Sequence, residues 1–242
     1  MQTPNKDYWK DRQVSDYDRK QRLLVPRKDE LLDTVVDFLP FEEEQPVHIL
    51  DVGAGQGALS ERILQRFSQA HVTLLDASAE MLAVAEQRLA AYASRVSLGL
   101  GDFCAVDWDA AVLRPVDGIV SSIALHFLRT ERRLPFFARA YALLSAPGCL
   151  LVGDAYNTPV AFIQERCNLR MLEFTRQQLL ATEGRDVSIE KLRENARTES
   201  GRAGTNRLLF TEQMDLLKEA GFPTVEIVWR YLSMAVVAAY KT

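Results

Sequence analysis

The chain has 242 residues, 48 % of them apolar and 26 % charged, with 29 basic against 33 acidic side chains and a net charge of −4. That length suits one large α/β domain or two small ones, and the composition excludes a disordered chain, a collagen-like fibre and a small disulfide scaffold. The slight acidic excess argues against nucleic-acid binding over the whole surface and leaves room only for a local basic patch.

The first ten residues, Met1 to Lys10, are polar and charged. They do not read as a secretory signal, and no apolar run approaches the ~20 residues of a membrane span. Cys104, Cys149 and Cys167 show no metal-ligand or disulfide spacing, which fits a reducing compartment. A cytoplasmic location is expected. Residues 1–30 mix basic and acidic side chains and read as an N-terminal helical arm.

From there the pattern alternates strand, turn and helix. Val47–Leu50 is a short β-type run, followed by a glycine cluster and a helical spacing of Leu59, Ile63, Leu64 and Phe67. Val72–Asp76 is a second run, with Ser78 capping a helix that carries Met81, Leu82, Ala85 and Leu89. Val96–Leu100, Gly118–Ile123 and Cys149–Gly153 give a third, fourth and fifth strand, with a helix over Leu134–Leu144 before Pro147-Gly148. Alternation of this kind predicts a parallel sheet with right-handed crossovers and helices on both faces. Residues 159–207 are helical in pattern and too long for a plain connection, so they read as an insertion. A helix over Thr211–Ala220 then leads to Val225–Tyr231 and Met234–Tyr240, close enough for an antiparallel hairpin at the sheet edge.

The stretch that carries chemistry is His48-Ile49-Leu50-Asp51-Val52-Gly53-Ala54-Gly55-Gln56-Gly57. Its glycines fall at i, i+2 and i+4 between a strand and a helix. A turn without Cβ atoms can be tight and can lie against a ligand, and the following helix N-terminus favours an anionic or strongly polar group. The dinucleotide fingerprint spaces its third glycine one residue later, which disfavours an oxidoreductase. Asp76 ends the second strand, where a carboxylate can accept ribose hydroxyls. Gly101-Asp102-Phe103 follows the third strand, and Ser121-Ser122 leads from the fourth into Leu125-His126-Phe127-Leu128.

The D-x-G-x-G-x-G form, with Asp76 and Asp102 in order after it, resembles the class I S-adenosylmethionine-dependent methyltransferases. The resemblance covers most of 45–158 and 208–242. It implies an α/β, Rossmann-like, seven-stranded and mostly parallel sheet with the last strand antiparallel. It also implies a core over 31–158 and 208–242, with 1–30 and 159–207 setting substrate choice. The cofactor implied is S-adenosylmethionine, leaving as S-adenosylhomocysteine, with no metal. The cofactor contacts implied are Asp51, Gly53, Ala54, Gly55, Asp76, Ala77, Met81, Gly101, Asp102, Phe103, Ser121 and Ser122. In that family Asp102 would accept from the adenine amino group while Phe103 packs on the ring.

His126 is a candidate general base, since its ordinary pKa lies near neutrality. Tyr8, Trp9 and Tyr17 could close over the cofactor, with Tyr17 a candidate catalytic residue beside His126 and Tyr8 a candidate substrate contact. Tyr156 sits after the fifth strand and could touch substrate. Chain order also resembles the carboxy-S-adenosylmethionine synthases of tRNA wobble-uridine modification, through Val25-Pro26, Phe127-Leu128, Glu194–Ser200 and Ser233-Met234-Ala235. In that group Arg197 would grip the extra carboxylate. The glycine loop and Arg27-Lys28 depart from that group, so methyl transfer to a small molecule is the main expectation. Carboxyl transfer and non-catalytic cofactor binding stand as alternatives. The expected partners are a small-molecule substrate and a second copy through the insertion, with no membrane and with nucleic acid not favoured.

Overall fold

Apolar runs bounded by turn residues become the strands of one sheet in the computed structural model, which describes residues 16–110, 112 and 115–242. The strands are β1 (His48–Val52), β2 (His71–Asp76), β3 (Val96–Leu100), β4 (Val116–Ser122), β5 (Leu144–Ala155), β6 (Thr224–Tyr231) and β7 (Met234–Lys241). Their order is β3-β2-β1-β4-β5-β7-β6. β1 to β5 pair in parallel, and β7 runs antiparallel to both β5 and β6. The seven-stranded, mostly parallel sheet with its last strand reversed is the architecture expected.

Period-two alternation sends neighbouring side chains to opposite faces. Leu50, Ile119, Leu150 and Val237 join one buried cluster, and their neighbours Ile49, Val120, Leu151 and Val236 join the other. Helices cover both. α2 (Lys28–Asp37), α3 (Ala58–Arg66) and α4 (Ala79–Arg88) pack Leu31, Ile63 and Leu82 on the second cluster. α5 (Thr130–Leu143) and α8 (Phe210–Glu219) pack Phe137 and Leu217 on the first. The order reverses between β1 and β4, which opens a crevice at the carboxyl ends of the strands.

Most strands shift by one or two residues from the sequence reading, and two boundaries moved further. β5 is longer than Cys149–Gly153, because Leu144 already pairs with Val116 before an irregularity, after which Cys149 pairs with Gly118. The helix expected from Leu134 starts at Thr130, where Arg133 braces its first turn by donating from Nε to the Leu128 carbonyl at 3.0 Å.

After β5 come α6 (Ala161–Glu183) and α7 (Ile189–Ala203). Gly184 (φ 65°) ends α6 in the left-handed conformation, and the Ser188 hydroxyl accepts from the Lys191 amide to start α7. Ahead of the core stands α1 (Tyr17–Leu24). Leu23 of α1, Leu179 of α6 and Leu192 of α7 form a separate buried cluster, and Arg19 pairs with Glu183 beside it. No described helix is long and apolar enough to cross a membrane.

Candidate active site

The crevice holds a cleft of about 390 Å³, within the range of small-ligand sites. Its floor is the turn from β1 to α3. Gly53 (φ 70°) and Gly55 (φ 55°) both take the left-handed conformation. A Cβ on Gly53 would run into Ala124 Cβ and lie 3.3 Å from the Phe103 ring, and one on Gly55 would meet the Tyr17 ring at 3.8 Å. Glycine is thus required at Gly53 by the close approach of Ala124 and at both positions by the left-handed backbone, while the Tyr17 ring lies over Gly55 at ordinary contact distance.

The N-terminus of the following helix was expected to favour an anionic or strongly polar group, but none of residues 56–66 is in the described cleft lining, and the turn's own amides are largely taken up within the protein. Gly53 and Ala54 donate to the Leu75 carbonyl, Gly57 donates to the Ala54 carbonyl, and Gly55 donates to Asp76 Oδ2 at 2.8 Å. The loop offers shape more than positive potential. What faces the space instead is negative. Asp76, Glu80 and Asp102 line it, and none of the lining residues described is Lys or Arg. A pyrophosphate would be repelled here, whereas hydroxyls, an amino group or a sulfonium would be welcome.

Each acid is held by its local turn. Asp76 Oδ1 accepts from the Ser78 amide at 2.9 Å, and Asp102 Oδ1 accepts from the Cys104 amide at 2.9 Å. Burial raises the Asp76 pKa, Asp102 adds to this, and the amides of Ser78, Gly55 and Ala77 work against it. Both Asp76 oxygens still have lone pairs for ligand hydroxyls. Burial and then Asp102 push the Cys104 thiol up to about 12, so it is no thiolate nucleophile at neutral pH.

The wall opposite is the end of β4. Ile123 takes φ 53°, a costly conformation for a β-branched residue, fixed by its amide donating to the Gly153 carbonyl at 2.7 Å. Ile123, Ala124 and Phe127 line the cleft and were not among the expected site residues; nor was Glu80. Adjacent strands ending at the same level carry the signal: Ser122 pairs with Gly153, so the residues after β4 and β5 must meet.

The expected residues divide as follows. Tyr17, Gly53, Gly55, Asp76, Ala77, Met81, Gly101, Asp102 and Phe103 line the cleft. Asp51 does not: it is fully buried below the turn, with Oδ2 accepting from the Ser60 hydroxyl at 2.7 Å, because strand alternation points it inward. Ala54 lies in the turn and outside the cleft lining. Ser121 is buried and donates to the Val52 carbonyl at 2.8 Å, tying β4 to β1, and Ser122 ends β4 outside the lining. Tyr156 is buried against Phe210, with ring centroids 5.1 Å apart. Arg197 is exposed on α7 and is not in the cleft lining. His126 is also outside that lining, but its ring packs on Phe127 with centroids 4.2 Å apart, and Nδ1 lies 2.7 Å from Asp154 Oδ1. Tyr8 and Trp9 fall outside the described residues.

Residues 49–148 match the family model described as a methyltransferase domain. The chain is 27 % identical over 202 residues to a carboxy-S-adenosyl-L-methionine synthase of Chromohalobacter salexigens, covering 80 % of this chain and 68 % of that one. It is 33 % identical over 147 residues to a trans-aconitate 2-methyltransferase of Pseudomonas paraeruginosa, covering 60 % of this chain and 46 % of that one. Among solved structures, the pyocyanin biosynthetic protein PhzM superposes with a TM-score of 0.65 at 20 % identity, over 98 % of this chain and 61 % of that one. An O-methyltransferase family 2 protein of Planctomyces limnophilus, solved with apigenin, gives 0.62 at 19 %, over 94 % and 62 %. The chain thus spans about half to two thirds of the length of these relatives, and the structural likenesses speak to fold.

Proposed function

We propose that this chain, whose residues 49–148 match the methyltransferase domain model, is a class I S-adenosylmethionine-dependent methyltransferase that binds S-adenosylmethionine in the cleft and transfers the methyl group to a small-molecule acceptor. The observation that carries this reading is the pairing of a backbone cradle at Gly53 and Gly55 with a wall of carboxylates, with no Lys or Arg among the described lining residues. When bound, the sulfonium supplies a methyl carbon already activated for displacement. The chain's own work is to hold the acceptor in line and keep water out.

In this reading Asp76 accepts the ribose hydroxyls, Asp102 accepts from the adenine amino group, and Phe103 and Met81 pack against the base. Tyr17 covers the turn. Residues 1–30 serve as a lid and residues 159–207 as the acceptor-selecting insertion and dimer face. The reaction needs no metal ion. The free cysteines among the described residues suit a cytoplasmic location. Carboxyl transfer, the activity in the name of the Chromohalobacter relative, is not favoured, because the Arg197 it depends on stands on the exposed face of α7.

Calorimetry with S-adenosylhomocysteine tests the proposal. We expect saturable binding, weakened about 10- to 100-fold by Asp76→Ala, the range for losing hydrogen bonds to a charged group. No heat with the wild-type chain, unchanged affinity in the variant, or tighter binding of a nicotinamide dinucleotide would overturn it.

A further inference from the structure

Behind Phe127 and Cys104 of the cleft lining, positive charge gathers without enough acid to balance it. Arg133 donates to the Leu128 carbonyl at 3.0 Å and to the Asn206 carbonyl at 2.7 Å. The Asn206 amide donates to the His126 carbonyl at 2.6 Å, and the Arg207 carbonyl accepts from Asn157 Nδ2 at 3.0 Å. The turn after β4, the start of α5 and the chain leaving α7 meet here, and they bring Arg132, Arg133 and Arg207 into one neighbourhood. The charges of Arg132 and Arg133 act on the Cys104 thiol, and those of Arg133 and Arg207 act on Asp154.

Most described arginines face a carboxylate, as Arg88 does with Asp18 and Arg176 with Asp186. Arg132, Arg133 and Arg207 form no ion pair among the described residues. Asp154 is bonded elsewhere: Oδ2 accepts from the His126 amide at 2.9 Å, and Oδ1 meets His126 Nδ1 and the Ala155 amide at 2.7 Å each. Three guanidinium charges thus stand against one carboxylate, and a guanidinium does not lose its proton at any ordinary pH. Bracing two carbonyls accounts for where Arg133 sits but not for the excess. Arg133 is 2 % exposed, and a buried charge without a partner of opposite sign is costly. A second group beside it is also unmatched. Tyr156 lies within range of Asp154 and Arg133, and its buried hydroxyl has no hydrogen-bond partner among the described residues. Burial keeps that hydroxyl protonated, so it is a donor without an acceptor.

We propose that the methyl acceptor is a small organic carboxylate, held on this flank of the crevice by Arg132, Arg133 and Arg207 with the Tyr156 hydroxyl as a further donor. This rests on the reading of the cleft given above. Planar guanidinium forks match the two oxygens of a carboxylate. A phosphate matches them too, but as a dianion it meets twice the repulsion from Asp76, Glu80 and Asp102 in the same small cleft. Arg207 is exposed and Arg132 half-buried, so these two draw the anion in, and Arg133 supplies the fixed charge behind them. The acidic part of the crevice favours the sulfonium and the basic part the acceptor, so each ligand is disfavoured in the other's place.

Benzoate, benzamide and phenyl phosphate serve as probes, titrated by calorimetry into the chain saturated with S-adenosylhomocysteine. We expect benzoate to bind at least about tenfold more tightly than benzamide, with a preference that shrinks as salt is raised. Arg207→Gln and Arg132→Gln, both at solvent-accessible positions, should each weaken benzoate about three- to tenfold and leave S-adenosylhomocysteine affinity unchanged. Tyr156→Phe should weaken benzoate without lowering the unfolding midpoint, since the hydroxyl it removes bonds no described residue in the free chain. The idea is overturned if benzamide or phenyl phosphate binds as tightly as benzoate, if benzoate affinity survives Arg207→Gln, or if benzoate fails to bind while S-adenosylhomocysteine does. Failure of S-adenosylhomocysteine itself to bind would remove the cleft reading and this one with it.

Discussion

Asp51 shows how strand alternation can turn a side chain away from the cleft that its neighbours in sequence line. It was expected among the cofactor contacts, yet it lies under the turn with Oδ2 on Ser60 and Oδ1 without a partner among the described residues. Burial lifts its pKa from 3.8 to about 7, Ser60 works against this, and Asp76 adds to it. The folded state therefore holds this proton where the unfolded chain has lost it. The stability contributed by protonated Asp51 is complete below the ordinary carboxylate range and is lost as pH rises from there to about 7. Urea midpoints of wild type and Asp51→Asn, taken at successive pH values, should show the variant gaining on the wild type across that window by a few kcal/mol in all. A difference independent of pH would mean the carboxyl is not buried as described.

At the scale of elements, a glycine decides how closely α2 can approach the sheet. A Cβ on Gly153 would come within 2.6 Å of Leu31 Cδ2, and Leu31 is fully buried. Gly153→Ala should therefore destabilise the fold by about 1–3 kcal/mol through overpacking, read from denaturant unfolding. Such contacts were not legible in the sequence, whereas the elements themselves were. Apolar runs such as Val72–Leu75 and Ile119–Val120 declare strands buried on both faces, and Ser78 announces the helix that it does cap through the Met81 amide. Asp76 and Asp102 could be placed because strand ends in an alternating pattern all point to one rim. His126 and Asp154 lie 28 residues apart, and only the pairing of β4 with β5 brings them together. The extra turn of α5 was hidden because Pro135 suggests a later start, while Arg133 holds the earlier one.

Over the whole molecule, the arm, the core and the helical pair after β5 are mechanically joined. α1 presents Tyr17 to the cleft, Asp18 to Arg88 of α4, and Arg19 and Leu23 to α6 and α7. The exposed ion pairs contribute little, so the small Leu23–Leu179–Leu192 cluster carries most of the arm's attachment to the insertion. Leu23→Ala should speed hydrogen exchange in α1 and in the facing turn of α6, and should accelerate S-adenosylhomocysteine release about tenfold or less, with the core unchanged. Protection in α1 equal to wild type would show that the core alone holds the arm. The stitching of Asn206 to the His126 carbonyl, and of Asn157 to the main chain at Leu208, has an evolutionary corollary. A change in length or sequence of the helical hairpin moves one flank of the crevice and leaves Gly53, Asp76 and Asp102 where they are. On the proposed reading, descendants of such a chain can drift toward new acceptors while inheriting an unaltered grip on the methyl donor.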